Sequence, residues 1–163
     1  MTDTIEQIIE VNALARAELM EAIDALSIER RVEGWFGSEL WSVKDILAHI
    51  VRWQEGWSFA LHSIAAGERP SVPGYVPNSK DVDAADAAYN ADSIAEMSAE
   101  TWDAVLARLR DAREQHEEAI RGLRVLDPER YAEGRAARRL ADSANHDREH
   151  SASIRSWRRE RSL

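Results

Sequence analysis

No cysteine occurs among the 163 residues, which rules out disulfides, thiolate nucleophiles and cysteine-bound metal. Proline is scarce, and the four present fall at positions 70, 73, 77 and 128, outside every stretch of helical periodicity. No run approaches the roughly 20 apolar residues that a membrane-spanning helix needs. The opening MTDTIEQIIEVNALARAELM has neither the basic start nor the unbroken apolar core of a signal peptide. A cytoplasmic location without a membrane partner is therefore expected. An excess of positive charge is missing too: Lys and Arg number 21 against 30 Asp and Glu, a net charge of −9. Such a surface repels phosphate, so nucleic acid is not an expected partner. One local exception is the basic tail from Arg155 to Arg161, RSWRRER, which reads as a complement to the C-terminal end of a helix dipole.

What is present is helical periodicity almost throughout. A chain of this length buries roughly 70% of its unfolded surface, enough for one core without covalent staples, so residues 1–163 are expected to form one domain. Ile5, Ile8, Ile9, Leu19, Ile23 and Leu26 recur at helical spacing and predict a helix over residues 3–27. After a connection through Gly34 and Gly37, Ser42 and Asp45 in WSVKD have the spacing of a capping box. They introduce a helix with the apolar stripe Val43, Ile46, Leu47, Ile50, Trp53, Trp57, Leu61 and Ile64. The stretch GERPSVPGYVPNSK, residues 67–80, reads as a loop, with a weak helix following over residues 82–92.

Ser98 is read as the cap of a third long helix carrying Trp102, Val105, Leu106, Leu109, Ile120 and Leu123, broken by LDP at residues 126–128. A fourth is expected over residues 134–159, with Leu140, Ala144, Ile154 and Trp157 inward. No strand pattern or repeat competes, so the expected fold class is all-α, a four-helix bundle. The long link between the second and third long helices favours up-down-down-up connectivity with a crossover.

The chemistry concentrates in NHDREH, residues 145–150. On a helix, His146 and His150 lie about 40° apart on adjacent turns, so two imidazoles can converge on one ion. A solvated helix face can carry the same letters. The inward neighbours Ser143, Asp147 and Ser151 make an unusually polar seam, which a bound ion would help to satisfy. His49 sits at the edge of the second helix's stripe, about 40° from Trp53. Together the three histidines form a candidate metal site with an open position, the pattern of catalytic rather than structural sites. Asp45 or Asp147 could orient a ligand ring. His62 points away from the stripe. His116 is either a pocket residue or a satisfied core histidine. Arg113 either binds an anionic substrate or snorkels from an edge. Trp53 and Trp157 could wall the open position, although core filling accounts for most of the six tryptophans.

The block ELWSVKDILAHIVRWQ resembles the DinB-like superfamily, and HDREHSASIRSW is similar to its final-helix signature, particularly in the ClbS/DfsB-type branch. The resemblance implies an up-down-down-up bundle with metal ligands at His49, His146 and His150. It also implies chemistry on small molecules, because members include thiol-dependent transferases or isomerases and a protective hydrolase. Some relatives lack the full histidine set; this chain retains all three. Zinc or nickel suits imidazole ligands, and a low-molecular-weight thiol is a possible cosubstrate. No side chain is assigned a catalytic step.

Two rivals stand beside this reading. HDREH also matches the HxxEH pattern of inverted zincin peptidases, with Glu149 or Asp147 as base. Alternatively, the chain is a non-catalytic protein that binds or sequesters a small molecule. A homodimer is compatible with the abundant apolar helix surface.

Overall fold

The computed structural model describes residues 4–163, and among these it is all-α. Helix α1 spans Thr4–Ile23, α2 Ile28–Val32, α3 Val43–Ala65, α4 Val82–Met97, α5 Trp102–Gly122, α6 Ala136–Ala141 and α7 Ala144–Glu160. Short 3₁₀ turns occupy Leu123–Val125 and Pro128–Tyr131. No described helix is long and apolar enough to cross a membrane.

Local chemistry sets most boundaries. The capping box at the start of α3 forms as its spacing requires. The Ser42 amide donates to Asp45 Oδ2 at 2.9 Å, and the Asp45 amide to Ser42 Oγ at 3.2 Å. The expected first helix is cut short instead. Ala25 adopts a left-handed φ of 56°, and Ser27 starts a new helix by accepting from the Arg30 amide. Asp3, the expected first residue, lies outside the described residues.

Ser98 does not cap the third long helix. It closes α4, its hydroxyl donating to the Ala95 carbonyl, while Thr101 caps α5 by accepting from the Ala104 amide. Helix α4 itself runs five residues beyond the expected end at position 92, to Met97. The VPGY segment at residues 72–75 makes a type II turn. The Tyr75 amide donates to the Val72 carbonyl at 3.1 Å, and Gly74 takes the positive φ of 80° that this turn demands.

The expected fourth helix is two helices. At the break, the Ser143 amide turns away to donate to Asn12 Oδ1 at 3.1 Å, and Asp142 Oδ1 accepts from the Ala144 amide. Ser143 and Asn12 are both fully or almost fully buried. Asn12→Ala would leave a buried amide without an acceptor, and we expect a loss of about 1–2 kcal/mol in urea unfolding. An unchanged midpoint would show that the amide is satisfied otherwise.

The chain's contacts group into two units, residues 1–46 with 142–163, and residues 47–141. In the first, α1 packs on α7. Ile5, Ile8, Asn12, Ala15, Leu19 and Ala22 form the buried seam of α1 at spacings of three and four. Ala144, Asp147, Ser151, Ile154 and Trp157 are buried on α7. The basic tail of α7 is spent on the far end of α1, which has no basic residue in its own last turn. Arg155 donates to the Glu18 carbonyl, and Arg158 to those of Ala22 and Asp24 at 2.9 and 2.8 Å. The carbonyls of Ala22 and Asp24 lie at or just past the end of α1, where no intrahelical donor follows.

In the second unit, the core draws on Leu47, Ile50 and Leu61 of α3, Tyr89 and Met97 of α4, and Leu109 and Ile120 of α5. An ion-pair network ties these three helices together. Arg108 grips Glu55 through Nε and Nη2 at 2.7 and 2.9 Å and reaches Glu96, which also pairs with Arg52.

Candidate metal centre

In the first unit, α7 presents His146 and His150 with their Nε2 atoms 3.2 Å apart and their rings edge to face. His150 is buried and His146 half-buried. A tight turn after α2 packs against His150. The amides of Trp35 and Phe36 both donate to the Trp41 carbonyl, and the Trp41 amide returns a bond to Phe36. A Cβ at Gly34 would lie 2.4 Å from the Leu40 carbonyl oxygen, so the turn closes only over glycine. It sets Phe36 edge-on to His150, ring centroids 6.0 Å apart, and stacks Trp35 on Trp157 at 4.9 Å.

In the second unit, α3 carries His49, whose Nδ1 lies 2.9 Å from Asn90 Oδ1 on α4. That same oxygen receives the Trp53 indole N–H at 2.8 Å. An indole N–H only donates, so the shared Asn90 atom is an acceptor, and His49 Nδ1 must carry the proton towards it. Nε2 is left with its lone pair, the form a metal requires. Burial pushes the His49 pKa down to about 4, with the Asn90 bond and the Asp86 charge opposing. The ring is neutral at pH 7.

Asp45 uses its carboxylate on Ser42, both backbone and hydroxyl, and the ring-orienting partner of His49 is Asn90. Sequence reading missed Asn90. Its one signal was an asparagine amid the alanines of AADAAYNADS, a poor helix former in a helix interior. Asp147 is fully buried in the first turn of α7, whereas Glu149 is exposed. His116 is a core histidine. Its Nε2 donates to the Leu140 carbonyl at 2.8 Å, so that nitrogen has no lone pair to offer. Arg113 is buried on α5, Trp53 is half-buried and Trp157 lies beneath Trp35. His62 is exposed.

Three histidines could hold a metal ion, His49 in the second unit and His146 and His150 in the first, each offering one ring nitrogen. The His146–His150 pair supplies a test of fit. A tetrahedral ion about 2.05 Å from each of two nitrogens holds them about 3.3 Å apart, and the pair stands at 3.2 Å.

Comparison with known proteins identifies the superfamily. The DinB superfamily model matches residues 13–153, and the chain belongs to that superfamily. Its structure is similar to that of an uncharacterised protein from Escherichia coli UTI89, with a TM-score of 0.75 at 12% identity. The match covers 98% of this chain and 95% of the other, and at that identity it speaks for the fold alone. No curated protein matches the chain.

Proposed function

We propose that the chain is a metal-dependent enzyme in which His49, His146 and His150 bind zinc or nickel and leave a coordination position open. Its reaction is thiol-dependent transfer to, or hydrolysis of, a small electrophilic or toxic molecule. The observation that carries this reading is the ligand-ready state of the rings. His146 and His150 hold Nε2 atoms at tetrahedral separation, and His49 is neutral with its Nδ1 proton tied to Asn90. When bound, the ion would bring water to a pKa of about 7 or hold a thiol as thiolate. The latter supplies a nucleophile that a cysteine-free chain lacks.

The protein's own part is to orient, bury and desolvate. Asn90 fixes the tautomer, Phe36 packs the edge of His150, and burial keeps His49 from capturing a proton. Asn90→Leu is expected to weaken metal affinity by about 10- to 100-fold while leaving the three ligands in place. Competition against a chromogenic chelator measures this, and an unchanged affinity would remove Asn90 from the site.

Elemental analysis of protein purified without an affinity tag tests the metal. Protein that carries none and takes up neither zinc nor nickel sinks the proposal. Assaying an electrophile with and without added thiol then separates the two reactions. Turnover without thiol indicates hydrolysis, and strict thiol dependence indicates transfer.

A further inference from the structure

The second unit contains a cleft of about 420 Å³ beside the proline-rich loop. Trp57, Val72, Tyr75, Pro77 and Leu140 give it an apolar, partly aromatic lining, and Arg139 is the one charged residue among those that line it. On a chain of net charge −9, a solitary cation in an apolar cleft selects for an anionic group. The Arg139 guanidinium is held by a 2.6 Å bond from Nη1 to the Gly134 carbonyl, which orients its other N–H donors.

The loop is a built wall. A Cβ on Gly56 of α3 would lie 2.5 Å from Val72 Cγ1, so this close approach of loop to helix tolerates only hydrogen there. The type II turn at Val72–Tyr75 sets the ring of Tyr75, whose hydroxyl donates to Asp86 Oδ1 at 2.9 Å. One indole then links the cleft to a metal ligand. The Trp53 ring lies 5.8 Å from Trp57 and 5.6 Å from Tyr75, two cleft residues, and 6.5 Å from His49.

We propose that this cleft binds the non-reacting body of the substrate: a small molecule with a planar apolar part against Trp57 and Tyr75 and a carboxylate or similar anion on Arg139. Identification of the occupant as the substrate rests on the function proposed above; the binding site itself does not.

Calorimetric titration of chelator-treated full-length protein tests the site with two probes of equal bulk, 1-naphthaleneacetate and the neutral 2-(1-naphthyl)ethanol. The acetate is expected to bind saturably and about fivefold more tightly than the alcohol, the scale of one exposed ion pair. Arg139→Ala should abolish that preference and leave the alcohol's affinity unchanged. Ser71→Trp, at an exposed rim position, should fill the cleft and abolish binding of both probes, and Pro77→Trp guards against a folding defect in the first variant.

Absence of saturable binding, a preference that survives Arg139→Ala, or affinities untouched by both rim variants would each overturn the proposal. Because no metal is present in these titrations, failure of the metal reading leaves their outcome intact. Metal uptake without probe binding would sink the cleft alone.

Discussion

His146→Ala is expected to lower affinity for zinc or nickel by more than about 100-fold, beyond the loss expected when only a ring-orienting partner is removed. The ion would keep His150 and His49 but lose the partner that stands 3.2 Å from His150 Nε2. His146 is only half-buried, so the side chain can be removed without opening a large cavity, and folding should change little. The decisive measurement pairs elemental analysis with a thermal melt. Loss of metal with an unchanged melt of the metal-free protein is the expected result. A variant that retains a full complement of metal would show that the pair at His146 and His150 is not the binding site.

The second large effect lies in acid. His49 is neutral in the folded chain down to a pKa of about 4, whereas the ordinary value is 6.5. Between those two values the unfolded chain binds a proton that the folded chain refuses. Stability is therefore fully present above pH 6.5 and is lost as pH falls towards 4, below which the loss from this group levels off. The separation corresponds to a loss on the order of 3 kcal/mol. Urea unfolding of metal-free protein at pH 7, 5.5 and 4.2 reads it, with His49→Gln as the control, because carboxylates titrate in the lower part of the same window. The variant should lose the part of the slope between pH 6.5 and 4 that His49 contributes. Identical pH profiles for the two proteins would contradict the assignment. Bound metal should leave over the same range, since ligation and protonation compete for one lone pair.

Both predictions concern residues that helical phase alone picks out of the sequence, and there is a physical reason. An HxxxH pair and a capping box are local: their partners lie three or four residues away, within one turn, so spacing encodes geometry. What the sequence hid was non-local. The division of the expected last helix into α6 and α7 depends on Asn12 taking the Ser143 amide from the opposite end of the chain. The partner that sets the His49 tautomer comes from a helix weak in apolar contrast, 41 residues on. Ser98 misled because a serine before an apolar run can close one helix as readily as open the next; the hydroxyl of Thr101, three residues later, does the opening. The basic tail was legible as a dipole complement, but which helix it would serve was not.

That tail has a bearing on how the protein is made. The carbonyls of Ala22 and Asp24, at the end of α1, receive their donors from Arg158, which lies 136 and 134 residues further along the chain. Residues 47–141 leave the ribosome before α7 does, so the nascent α1 must wait, frayed at its end, for α7 to emerge. His146 and His150 arrive on that same late helix. A chain stalled or clipped before Arg158 would thus leave the Ala22 and Asp24 carbonyls without that donor, so closing the end of the first helix depends on α7 having been made.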